Sequence, residues 1–201
     1  MSAVDENIVR EYFELHGFLV CQRRKYIAQA RQKSADEEVD LIVLNPSVPP
    51  GAAPAEFEIT SKTLSQVSRA IVAVKGWHTE VFAPGLLAHQ PKIFRFVEKR
   101  VIEEAQRLVG SDGLVRILIV PGLPREAKTR QRSIEVLRSK GVDGVISFRS
   151  ILQELIASVA INRNYRKSDL LQILRLLKNY GLLREPQMEF GWKRRGRKVA
   201  S

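Results

Sequence analysis

The sequence predicts an α/β fold built on a mixed sheet, and three observations carry that prediction. Segments whose apolar residues recur every three or four positions alternate with short runs of β-branched and aliphatic residues. Glycine or proline marks most of the changes from one kind to the other. One run, Arg116-Ile117-Leu118-Ile119-Val120, is apolar after its first residue, as expected of a central strand covered on both faces.

A first helix is expected over residues 5–16, where Ile8, Val9, Tyr12, Phe13 and His16 recur on one face and Gly17 supplies the stop. That spacing assigns His16 to the helix end rather than to a ligand set. A strand follows at 18–22. Its Cys21, the single cysteine of the chain, lies in the apolar run Phe18-Leu19-Val20-Cys21 and reads as a buried thiol. Residues 34–38 turn into a second strand, 39–44, which opens on Val39-Asp40. Residues 45–55 hold four prolines and a glycine and form a loop. Residues 57–60 suit a short extra strand, 64–69 a brief helix, and 70–75 a third strand that ends at Lys75.

Pro84, Gly85 and Pro91 break 78–92 into irregular chain. A long amphipathic helix is expected over 93–109, with Phe94, Val97, Val101, Ala105 and Leu108 on one face and Gly110 at its end. The strand 116–120 follows, then a helix over 127–140 ended by Gly141, a strand over 142–148 and a helix over 149–161. The last helix starts with Ser168 as N-cap and Asp169 in its first turn, and runs to Gly181. The order is α-β-β-β-α-β, extended by α-β-α-α. Loops join the first three strands, so an antiparallel meander is expected, and the helix 93–109 crosses over to a strand parallel to the third. The expected division is an α/β domain over 1–161, a helical extension over 162–190 and a basic flexible tail over 191–201.

Composition narrows the classes. At 201 residues and 44% hydrophobic the chain can bury a core and does not read as disordered. No apolar run reaches the roughly 18 residues of a membrane span, and the start Met-Ser-Ala-Val-Asp-Glu is unlike a signal peptide. With a lone cysteine, this reads as a cytoplasmic protein without a membrane partner. There are 33 basic against 22 acidic residues, a net charge of +11, which favours a polyanionic partner. The charge is clustered. Residues 23–33 open with Arg23, Arg24 and Lys25; the tail carries Lys193, Arg194, Arg195, Arg197 and Lys198; Arg163, Arg166, Lys167, Arg175 and Lys178 form a third group. Tyr26 and Trp192 interleave with the first two clusters, as aromatics that stack on bases do. Nucleic acid is the expected partner, DNA ahead of RNA. A CxxC pair, a GxxxxGK[ST] loop and a GxGxxG turn are all missing, which disfavours zinc, P-loop and dinucleotide chemistry.

The candidate chemistry lies at two strand ends. Cleaving a phosphodiester with divalent metal takes clustered carboxylates as oxygen ligands and a cation near the scissile phosphate. Adjacent strands lie about 4.8 Å apart, so Asp40 and Lys75 can meet at the ends of neighbouring strands. Residues 73 and 75 share a face of their strand, so the side chain at position 73 looks the same way as Lys75. It is Ala73.

The element order and the pair Asp40…Lys75 resemble the PD-(D/E)xK (restriction-endonuclease-like) superfamily over roughly residues 5–120. The stretch Glu6-Asn-Ile-Val-Arg-Glu-Tyr-Phe-Glu-Leu-His-Gly17-Phe18 is similar to the first helix of its junction-resolvase and endonuclease branches. The resemblance implies a restriction-endonuclease-like core, with Asp40 and Glu6 on Mg²⁺ or Mn²⁺ and Lys75 beside the attacking hydroxide or the phosphate. Glu11 and Glu14 replace Glu6 in other registers. Ala73 departs from the pattern. A relocated acid is Glu98, in Arg95-Phe96-Val97-Glu98, which has the Arg-x-x-Glu form of some restriction-enzyme relatives, or else Glu58 or Glu80. In Lys75-Gly76-Trp77-His78-Thr79-Glu80, Gly76 permits close backbone approach to a phosphate, and His78 is a candidate general base or phosphate contact.

Two readings stay open: a Mg²⁺-dependent DNA endonuclease (a hydrolase) with a degenerate site, and a catalytically inactive DNA- or RNA-binding or assembly module on the same fold. A third is an unrelated basic α/β protein. A homodimer is compatible with each.

Overall fold

Side-chain alternation along the strands builds a sheet with two covered faces. The structure, a computed structural model, describes residues 3–22, 38–52, 54–110 and 113–183. Among them, β1 (Leu19–Gln22), β2 (Leu41–Leu44), β3 (Arg69–Val74), β4 (Val115–Val120) and β5 (Gly144–Ser147) form one open sheet in sequence order. β1, β2 and β3 meander antiparallel, with Cys21 opposite Ile42 and Leu41 opposite Val72. β3, β4 and β5 are parallel, with Val72 beside Ile117 and Ile119 beside Ile146. The chain is thus α/β with a five-stranded mixed sheet.

Seven α-helices accompany the described strands: α1 (Ala3–Leu15), α2 (Ser61–Leu64), α3 (Pro84–His89), α4 (Lys99–Val109), α5 (Ala127–Ser139), α6 (Phe148–Ser158) and α7 (Asp169–Asn179). Ile42, Ile71, Ala73, Leu118, Val120 and Val145 share one apolar layer with Leu87, Ile93, Phe96, Val101 and Leu137 from the chain of α3 to α5. The intervening strand residues Leu41, Val43, Val72, Val74, Ile117 and Ile119 are fully buried on the other face. There α1 supplies Val9, Tyr12 and Phe13, and packs on β1, β2 and β3. His16 Nε2 lies 2.9 Å from Glu154 Oε2, which joins the end of α1 to α6. Each fully buried aliphatic or aromatic side chain of these layers stabilises the fold by about 1.5–3 kcal/mol.

The chain divides into two compact units, Met1–Ile156 and Ala157–Ser201. In the second, Ser168 caps α7 by accepting the Leu171 N–H at 3.1 Å, as its sequence position predicts. Arg175 donates to Ile161 O at 2.8 Å and Lys178 to Val159 O at 2.9 Å. Two members of the third basic group are therefore tied to backbone carbonyls within this unit.

Several expectations change. The helix expected over 93–109 is split: Pro91–Val97 is a 3-10 helix, Glu98 is extended, and α4 starts at Lys99. Ile93, Phe94 and Phe96 are all buried, and the 3-10 turn satisfies all three where a single α-helical stripe would not. The segment 78–92 is not irregular throughout, because it contains α3. Pro84 opens α3 from its first turn, where proline lacks only a donor the helix does not use. Residues 57–60 make a single bridge, Glu58 to Val145, rather than a strand. Gly144 permits it: a β-carbon there would lie 2.5 Å from Ile59 Cδ1. Cys21 is exposed, not buried, because β1 is an edge strand covered on little of its length.

Candidate functional site

Asp40 precedes β2 and is 1% exposed. Its backbone N–H donates to Val72 O at 3.0 Å, the carbonyl of the residue already opposite Leu41, so the one-to-one β2–β3 register stops there. Beyond that point the strands part. The Val74 N–H then donates to Asp40 Oδ2 at 2.7 Å, so the carboxylate replaces the backbone carbonyl that a longer β2 would have offered. Ala73 is completely buried in the apolar layer with Phe82, Leu118 and Val120. Lys75 follows β3, half-buried, and its N–H donates to Ile119 O at 2.9 Å.

The acids of α1 divide between two places. Glu6 accepts from Gln22 Nε2 at 3.1 Å, at the end of β1. Asp5, which the sequence reading passed over, reaches the residues after Lys75. A β-carbon on Gly76 would collide with Asp5 Oδ2, and Asp5 Oδ1 lies 3.1 Å from His78 Nε2. An ionised carboxylate only accepts, so the proton of that bond sits on Nε2, and Nδ1 is the ring nitrogen left for another partner. The His78 ring packs edge-on against Phe148 at 4.7 Å between centroids. The sequence signal for Asp5 was Gly76, a residue that allows close approach; its partner cannot be read from spacing.

The expected replacement acids each have surroundings of their own. Glu58 pairs with Arg130, with Arg130 Nε 2.7 Å from Oε1, and this bonding raises the guanidinium further above its ordinary range. Glu98 precedes α4 and accepts from Arg100 Nε at 3.2 Å, while Arg95 pairs with Glu38 at 3.3 Å. Glu80 is exposed in the loop after β3. Glu11 is buried, with Arg10 3.6 Å away, and Glu14 lies 3.7 Å from the same arginine. Arg23, Arg24, Lys25, Lys193, Arg194, Arg195, Arg197 and Lys198 lie outside the described residues.

At Asp40 few donors are on hand for a divalent metal. Oδ2 is bonded to a backbone N–H, and Ala73 offers no ligand. Among the described residues no group of three His, Cys, Asp or Glu side chains is placed to hold a cation.

The fold does build a cavity. The parallel strands β3, β4 and β5 end at one edge, and Phe82 N–H donates to Gly122 O at 3.1 Å, joining the loops after β3 and β4. There a cavity of about 700 Å³ is lined by His78, Arg125, Arg130, Ser147 and Arg149 among others. Glu58 and Glu80 also line it. Ser147 caps α6, its Oγ accepting the Ser150 N–H at 3.0 Å. In open α/β sheets, ligands bind beyond the carboxyl ends of the strands, which is where this cavity lies. Sequence reasoning found His78, Glu58 and Glu80 but missed Arg125, Arg130 and Arg149, which sit in separate elements and form no charge run.

Fold and site define the class as far as the molecule takes it: an α/β protein with a mixed five-stranded sheet and an arginine-lined cavity at its parallel edge. Comparison with protein-family models, with curated proteins and with solved structures gives no match. Among the described residues no helix is long and apolar enough to cross a membrane.

Proposed function

We propose that the chain is a nucleic-acid-binding protein on a restriction-endonuclease-like sheet whose acid-and-lysine corner serves stability rather than cleavage. The observation that carries this reading is the pair Asp40 and Ala73. The position that the resemblance gives to a metal-binding acid is filled by a buried methyl group, and the remaining aspartate holds the Val74 N–H. The antiparallel meander of β1, β2 and β3 with a parallel fourth strand supports the fold part of the reading, and the net charge of +11 supports the polyanionic partner.

A second reading, a Mg²⁺- or Mn²⁺-dependent DNA endonuclease, is favoured by one observation: Asp5 brings a buried carboxylate against Gly76, next to Lys75. One experiment separates the two. Fluorescence anisotropy on duplex, single-stranded and branched DNA and on RNA, across a salt series, measures binding. The same substrates incubated with Mg²⁺ or Mn²⁺ measure cleavage. The first reading expects affinity that falls steeply with salt, by a logarithmic slope of about 0.9 for each duplex phosphate contacted, and intact substrates. Metal-dependent cutting that disappears in Asp40→Ala replaces it with the second reading. No binding at low salt removes both.

A further inference from the structure

The arginine-lined cavity is not accounted for by the acid-and-lysine corner. We infer that it is a binding site for a phosphate group, held by Arg125 and Arg149 with Arg130 and His78 beside them.

Charge and placement support the site together. Three guanidinium groups from three places in the chain line one cavity: Arg125 from the loop after β4, Arg130 from α5 and Arg149 from α6. Arg130 is taken up by Glu58. Among the described residues, Arg125 and Arg149 pair with no carboxylate, so two forked cations face the space uncompensated by an ion pair. Guanidinium forks match the spacing of phosphate oxygens, and they bind them more strongly when two donors act on one group. Glu80 is the one acid at the cavity with no ion-pair partner among the described residues, and it is exposed on its loop.

His78 completes the set. Asp5 fixes the imidazole from below through Nε2, and the side chain is half-exposed where it lines the cavity. Nδ1 is the ring nitrogen left to meet a phosphate oxygen. The hydroxyls of Ser147 and Ser150, 2.7 Å apart, lie at the same wall and add short-range donors. The volume exceeds that of one phosphate and falls within the range of sites that take nucleotide-sized ligands. The phosphate therefore belongs either to a small phosphorylated molecule or to a nucleic-acid strand.

The test is an NMR titration of the full chain with inorganic phosphate, reading the arginine side-chain Nε–H and the histidine ring signals. Parallel titrations use a nucleoside monophosphate and a short single-stranded oligonucleotide. Expected are saturable shifts confined to Arg125, Arg149, Arg130 and His78. Each of Arg125→Ala and Arg149→Ala weakens phosphate binding by about tenfold, and the double variant abolishes the shifts. Both side chains are exposed, so an unchanged amide spectrum checks that the variants fold. A monophosphate that binds more tightly than the oligonucleotide assigns the site to a small molecule, and the reverse order assigns it to a strand. Shifts that do not saturate, or that survive in the double variant, overturn the inference.

The outcome is distinguishable from that of the nucleic-acid reading. Salt-sensitive oligonucleotide binding that ignores Arg125 and Arg149 leaves that reading standing without this site. Phosphate uptake with no nucleic-acid binding leaves the site without that reading.

Discussion

Asp40 Oδ2 accepts the backbone N–H of Val74 at 2.7 Å, from a residue that is almost fully buried. One side chain thereby ends the β2–β3 ladder and satisfies a donor that would otherwise be stranded inside the protein. A buried donor that loses its partner costs about 1–3 kcal/mol. Asp40→Ala is expected to lose that amount in urea denaturation. Asp40→Asn, which keeps an acceptor, is expected to lose less. Equal stability of all three proteins would show that the bond does not hold the strand end.

Ala73→Glu is expected to destabilise the fold rather than to restore a metal site. The carboxylate would enter an apolar layer that already leaves Ala73 no exposure. Burying a charge there, or protonating it to avoid doing so, costs about 3 kcal/mol or more. Ala73→Ser, a smaller polar change, is the control. Full stability of Ala73→Glu, measured by thermal unfolding, would mean that position 73 opens onto solvent or a site, and would favour the endonuclease reading.

Gly76→Ala separates the Asp5–His78 pair from the rest of the fold. The added methyl collides with the Asp5 carboxylate, so that side chain, the loop after β3 or α1 must shift. Overpacking of this kind costs about 1–3 kcal/mol. The specific expectation is a changed His78 ring signal in NMR, matching that of Asp5→Asn. An unaltered ring environment in Gly76→Ala would show that the pair does not depend on this close approach.

Tyr12 carries a different consequence. Its ring is buried between Phe13 and His16, and among the described residues its hydroxyl has no hydrogen-bond partner. Burial, with Glu154 nearby, holds the phenol well above its ordinary value. A folded pKa raised above the unfolded one gives stability that is complete below about pH 10 and is lost as pH rises further, because the unfolded chain releases its proton first. Tyr12→Phe is therefore expected to unfold less readily in alkali. At neutral pH it should be unchanged or more stable by about 1 kcal/mol, since it removes an unpaired buried hydroxyl. A marked loss of stability at neutral pH would reveal a partner for the hydroxyl.

Much of the fold was legible in the sequence, and the reasons are local. The run Ile117 to Val120 could bury both faces only as a central strand, and Ser168 could cap only a helix that starts at Asp169. Proline read as a breaker concealed α3, because proline is also a good first-turn residue. Periodicity from Phe94 to Leu108 concealed the break at Glu98, because one stripe describes an unbroken helix as well as two pieces.

By itself, the sequence determined the class of fold, the order of its five main strands and the basic excess, since these follow from periodicity, punctuation and composition. It also determined that position 73 carries a methyl group. Only the tertiary structure decided what that methyl group faces, that Asp40 bonds the Val74 N–H, that Asp5 rather than Glu6 meets Gly76, and that Arg125, Arg130 and Arg149 line one cavity. Those facts depend on which strands lie side by side and which loops end at one edge. That is set by packing between residues far apart in the chain, and spacing along the chain holds no record of it.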